Sequence, residues 1–226
     1  MSSDARPAFY ALPPGGWRDY VTLLHPPYTL WHLSYVAIGA GLAPQLKWAL
    51  LGWTTLAFFL AMGVGAHALD ELNGRPLQTR IPAAFLIALA VVSIAGACAI
   101  GVAVAAHSTW WLLAFVAAGA FIAVAYNLEL FGGAFHSDLW FGLAWGGFPV
   151  LTAYFASAQR LRGEAALAAA FAVLASLAQR TLSTQVRAAR RQAGDAEAAR
   201  PAETALKLLA AALPLLAVAL LVARSG

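Results

Sequence analysis

Long apolar runs alternate with polar joints along this chain, and within each run the apolar residues are continuous rather than every second one. A helix needs about twenty apolar residues to cross a bilayer. Runs of that kind occupy 27–43, 47–69, 82–105, 109–126, 138–157, 164–182 and 203–223. In lipid only helices and closed barrels satisfy the backbone, and unbroken runs select helices. The pattern therefore predicts an all-α, polytopic transmembrane helical bundle of about seven spans over 27–226, after an N-terminal cytoplasmic or interfacial segment, 1–26. That opening segment has no apolar h-region and no small-residue cleavage site, so it is not read as a signal peptide. Its Trp17, Tyr20, Tyr28 and Trp31 suit an aromatic belt at headgroup level.

Composition agrees. Of 226 residues, 62% are hydrophobic and 11% charged, where soluble domains carry about 25% charge. The single cysteine, Cys98, sits in an apolar run and reads as a small core residue. The net charge of +4 follows from where the arginines fall. By parity the long polar joints 70–81, 127–137 and 183–202 share one side of the membrane. That side holds Arg6, Arg18, Arg75, Arg80, Arg187, Arg190, Arg191 and Arg200, against Lys47, Arg160, Arg162 and Arg224 opposite. The excess predicts a cytoplasmic face and a cytoplasmic N-terminus, in the inner (plasma) membrane of a bacterium. No nucleic-acid partner is expected from this charge.

The same three joints carry the candidate chemistry. In "GAHALDELNGRPLQTRIP", His67 lies three residues before Asp70 and four before Glu71, so one helix face can present all three. An imidazole with two carboxylates can coordinate a divalent cation or exchange protons; the plain alternative is a helix end surfacing into water. In "YNLELFGGAFHSDLW", Glu129, His136 and Asp138 are further ligand candidates, although Asp138 is equally an N-cap. In "QRTLSTQVRAARRQAGD", Arg180, Arg187, Arg190 and Arg191 with Gln185 suit an anion. Anionic headgroups would explain the same arginines. His32, inside the first apolar run, faces a polar cavity or is a hydrogen-bonded core histidine. No Gly-rich phosphate loop, G-x-S-x-G, Cys-x-x-Cys or H-E-x-x-H occurs.

Three stretches together resemble the UbiA superfamily of intramembrane prenyltransferases. "LLHPPYTLWHLSYVAIGAGL" is similar to that family's opening helix, and "HALDELNGRPLQTRI" stands at the place of its Asn-Asp-rich motif. "YNLELFGGAFHSDLWFGLAWGGFPVLTAYFA" resembles its Tyr-x-x-x-Lys-like stretch, which would give Tyr126 a substrate-binding role, and the Gly-rich helix that follows. The resemblance covers roughly 20–223. It implies a bundle around a lipid-accessible cavity, where Mg²⁺ held by two acidic motifs binds a prenyl diphosphate. Laid on the family pattern, His67 takes the asparagine position, Glu71 the first aspartate and Arg75 the second. The second acidic motif is replaced by Thr181, Gln185 and Ala189, and the chain is shorter than the family's usual nine spans.

The expected function is that of a divergent, shortened UbiA-like enzyme acting on an isoprenoid or related lipid at a cytoplasm-facing cavity. His67, Asp70 and Glu71 would be its catalytic or cation-binding groups. Arg75, Arg180, Gln185, Arg187, Arg190 and Arg191, with His32 and Tyr126, would hold the substrate. One alternative is an enzyme whose transition metal is held by His67, Asp70, Glu71, Glu129, His136 and Asp138. Another is a lipid-binding or assembly subunit without chemistry. An oligomer or a partner membrane subunit would complete a cavity left open by the shorter chain.

Overall fold

The computed structural model describes residues 8–192 and 196–225, with the side chains of 191, 192 and 196 excluded. The predicted site residue Arg191 therefore has its side chain outside the described residues. Among the described residues every predicted run is helical and no strand occurs. A short α1 (Trp17–Leu23) leads into α2 (Pro26–Leu42), α3 (Trp48–Leu72), α4 (Ala83–His107), α5 (Leu112–Asn127), α6 (Asp138–Ala158), α7 (Gly163–Gln192) and α8 (Ala196–Ala223). Five of these, α3, α4, α6, α7 and α8, are long and apolar enough to cross a membrane, while α5 is a shorter apolar helix. The chain is an integral membrane protein.

Two joints depart from the hydropathy pattern. The polar stretch predicted as the joint 183–202 is almost wholly helix, because α7 runs on to Gln192 and α8 starts at Ala196. Its Ala, Arg and Gln residues are strong helix formers, so propensity carries the helix past the apolar run. The joint 70–81 likewise begins only after Leu72.

The core forms where α2 packs between α6, α7 and α8, with Trp31, Tyr35, Ile38, Val150, Ala172 and Leu213 in one cluster. Trp31 is fully buried and donates from Nε1 to the Tyr35 hydroxyl at 2.6 Å, so it belongs to the core and not to an aromatic belt. Trp17 is 67% exposed and so remains compatible with a belt. Two glycines set the helix spacing. A Cβ on Gly39 would overlap the Val150 carbonyl of α6, and one on Gly146 would overlap the Ala172 carbonyl of α7.

Cross-links between distant segments show which ends lie together. Asn73 donates to the Asn127 carbonyl and to Glu129, and Arg180 pairs with Asp138, so the joints after α3 and α5 meet the C-terminal half of α7. At the other end Arg224 donates to the carbonyls of Ala43 and Pro44.

Candidate functional site

Two wide helical turns shape the polar end. Inside α3, Phe59–Ala66 winds as a π-helix, and inside α6, Gly142–Gly147 does the same. Such turns are uncommon and loosen the regular backbone ladder. Each supplies a carbonyl to a histidine. His67 Nδ1–H donates to Gly63 O at 3.1 Å, and His32 Nδ1–H donates to Trp145 O at 2.9 Å. His25, in a left-handed conformation before α2, donates from Nδ1 to Leu23 O at 2.9 Å, and His136 donates from Nδ1 to Tyr126 O at 3.0 Å.

A carbonyl only accepts, so all four rings carry a proton on Nδ1 and, when neutral, present a lone pair at Nε2. Among the described residues none of these Nε2 atoms has a hydrogen-bond partner. The His25 and His67 ring centroids are 4.0 Å apart, and both residues keep part of their surface open. His32 lies within electrostatic reach of both.

The predicted triplet of His67, Asp70 and Glu71 divides. Glu71 is fully buried, and its carboxylate is taken up by the loop that follows α3. Its Oε1 accepts from Thr79 N at 2.8 Å and Thr79 Oγ1 at 2.9 Å, and its Oε2 accepts from Leu77 N at 2.9 Å. The chain after α3 folds back over this carboxylate, which makes Glu71 the anchor of the following loop. Asp70 is only part-buried, and its carboxylate makes no hydrogen bond among the described residues. It lies within electrostatic reach of His136, Arg187 and Glu129.

The basic residues also separate. Arg75, at φ 53°, donates to the carbonyls of Ile81 at 2.7 Å and Thr79 at 3.4 Å and so braces its own loop. Arg180 pairs with Asp138 through Nε, donates to the Tyr126 hydroxyl at 2.7 Å, and lies over the Phe141 ring. Ser137, not Asp138, caps α6, accepting from Trp140 N. Tyr126 is thus fixed at its hydroxyl by Arg180 and along its ring by His136, stacked at 4.6 Å. Arg190 pairs with Glu203 of α8, which also accepts from Lys207. Gln185 is exposed. Arg187, exposed and donating to Thr184 Oγ1, is the cation felt at Tyr10, His25, Tyr28 and Asp70 alike.

A divalent or transition metal is the expected occupant, and three of its six predicted ligands have other partners. Glu71, Glu129 and Asp138 are turned to other partners: the 77–79 backbone and hydroxyl, Asn73 and Arg180. Among the described residues no group of three or more His, Cys, Asp or Glu side chains is placed to hold a metal ion.

Beside the polar cluster runs an apolar crevice between α3, α4, α5 and α6. It encloses a cavity of about 110 Å³ within about 830 Å³ of unfilled space, counting its open mouth. Met62, Ile94, Phe115, Phe148 and Trp145 are among its walls. Cys98 is another, so it faces this space and not a packed core. Crevice and histidines share backbone: Trp145 lines the first and holds His32, and Met62 lines it beside Gly63, which holds His67.

Asp19, Tyr10 and the full part played by His25 are not legible as site residues in the sequence. Asp19 is buried and accepts from Gly15 N at 2.8 Å and Arg80 N at 2.9 Å, clasping the N-terminal segment to the loop after α3. Tyr10 thereby lies 5.4 Å from the His25 ring and 5.3 Å from the Tyr28 ring. The one hint in the sequence is an acid set within the aromatic stretch "GGWRDY".

Burial pushes the His25 imidazole down to about 4; its bond to Leu23 opposes this and the nearby Arg187 charge adds to it. An unfolded histidine titrates near 6.5. Below that pH the unfolded chain takes up a proton that the folded chain refuses, so stability is complete above about pH 6.5 and declines as pH falls toward 4. The Tm of the detergent-solubilised protein should fall across that window, by roughly 2–4 °C per kcal/mol lost. His25→Gln should make the decline shallower, and an unchanged slope would contradict the burial argument.

In comparison with known proteins, no family model matches the chain, nor does any curated protein or solved structure.

Proposed function

We propose that the protein acts on an isoprenoid or related membrane lipid, whose chain lies in the apolar crevice and whose polar end meets His25, His67 and Asp70. The carrying observation is shared backbone: Trp145 and Met62 line the crevice, while the carbonyls of Trp145 and of the adjoining Gly63 hold His32 and His67. An apolar slot with a few polar groups on the backbone beside it suits an amphiphile. In this reading all seven helices from α2 to α8 cross the bilayer, the polar end faces the cytoplasm, and the bundle is a shortened relative of UbiA-type enzymes.

The chemistry falls to Asp70 and His67 as acid and base, because Asp70 is the carboxylate of the predicted triplet without a hydrogen bond among the described residues. Glu71 is proposed as support for the loop and is removed from the reacting groups. A second reading, a lipid-binding or assembly subunit without chemistry, is favoured by the absence of carboxylates at Thr181, Gln185 and Ala189.

The chain's one thiol tests the crevice. Cys98 lines it, so alkylation of the solubilised protein by N-ethylmaleimide should slow when an isoprenoid occupies the slot. An alkylation rate indifferent to added isoprenoids, together with no lipid co-extracted from the purified protein, would remove this reading. Asp70→Asn then separates the two roles: it should abolish turnover of the lipid for an enzyme, and change nothing but affinity for a carrier.

A further inference from the structure

We infer that the polar end of this site takes a free hydroxyl on an apolar chain, an isoprenoid alcohol, and not its phosphate or diphosphate ester. The inference rests on the crevice reading above and adds the chemistry of the head group.

Four groups left open at the polar end, three imidazoles and one carboxylate, are hydrogen-bond acceptors. His25, His32 and His67 each have Nδ1–H tied to a carbonyl, so what they offer a ligand is the Nε2 lone pair. His25, held down at about 4 by burial, stays neutral at physiological pH and remains an acceptor. Asp70 adds a carboxylate without a hydrogen-bond partner among the described residues. A hydroxyl supplies the donor that such a set lacks. A phosphate ester brings further charged acceptors, which would face lone pairs and a carboxylate.

Among the described residues three arginines that would reverse this preference are engaged elsewhere. Arg180 is held by Asp138 and Tyr126, Arg190 by Glu203, and Arg75 by the carbonyls of Thr79 and Ile81. Arg187 stands at the exposed rim, bonded to Thr184. Its charge is felt at Asp70, which also opposes an ammonium head group there. A neutral donor is what remains.

Protection of Cys98 from N-ethylmaleimide reads the inference directly. Farnesol, farnesyl diphosphate with and without Mg²⁺, and the hydrocarbon farnesene are compared on the full-length solubilised protein. Farnesol should protect at the lowest concentration. Asp70→Ala and His67→Phe should each raise its half-protecting concentration about tenfold, the loss of one hydrogen bond of ordinary strength. Gly163→Ala, where a Cβ would meet nothing within 4 Å, should leave farnesol protection unchanged.

Tighter protection by the diphosphate would overturn the hydroxyl assignment. So would equal protection by farnesol and farnesene, while leaving the crevice reading intact. If none of the three slows alkylation, the crevice reading itself falls, and this inference with it.

Discussion

Replacing Glu71 by Ala is expected to open the loop after α3 and to destabilise the protein by about 3 kcal/mol or more. Three donors, Leu77 N, Thr79 N and Thr79 Oγ1, converge on this carboxylate within 2.8–2.9 Å, and Leu77 and Thr79 are themselves buried. Each buried donor left without an acceptor costs about 1–3 kcal/mol. Partial rehydration of the loop keeps the total below the simple sum. The measurable consequences are a lowered Tm and rapid tryptic cleavage after Arg80, which is exposed at the end of this loop. Glu71→Gln keeps one accepting oxygen and should fall between. If Glu71→Ala matched the parent in Tm and protease resistance, the carboxylate would not be an anchor, and its place among the reacting groups would have to be reconsidered.

The second large effect is expected at Gly146. Here the wide turn of α6 touches α7 so closely that even a Cβ would overlap the Ala172 carbonyl and crowd Ser176 Oγ. The obstacle is backbone, which cannot step aside as a flexible side chain would. Gly146→Val must therefore push the two helices apart, and overpacking of this kind costs about 1–3 kcal/mol or more. The displacement would begin beside Trp145, whose carbonyl holds His32. The variant should lose both thermal stability and farnesol protection of Cys98. Gly163→Ala, where a Cβ would meet nothing within 4 Å, is the matched control and should behave as the parent does. Parent-like behaviour of Gly146→Val would mean that α6 and α7 are not in such close contact.

The helices were legible because lipid imposes a length and an apolar content that a hydropathy pattern records directly. The extension of α7 to Gln192 was not, since Arg187 and Arg190 lie on a polar stretch that hydropathy assigns to a joint while helix propensity does not. Parity of the runs placed the polar joints at one end, and the links from Asn73 to Glu129 and from Arg180 to Asp138 follow that grouping.

Partners within the site were less legible. The spacing of His67, Asp70 and Glu71 assumed a regular helix continuing into solvent. In the protein the chain doubles back after Leu72 and turns backbone donors toward Glu71. Nor does any residue pattern announce a π turn, so the carbonyls offered by Gly63 and Trp145 could not be foreseen from "GVGA" or "GLAWGG". A buried acid such as Asp19 looks, in sequence, like any other charge near a membrane surface.

Phe9 packs on a cluster formed by Val186, Ala199 and Leu206, with Lys207 over its ring, while Asp19 reaches back to Arg80. The docking ground for the first described residues is thus built from the last two helices. Asp19 can reach its place against Arg80 early, but Phe9 can take its seat only once α7 and α8 stand in place. The cover that Tyr10 gives the His25 ring therefore depends on the two helices most distant from it in sequence.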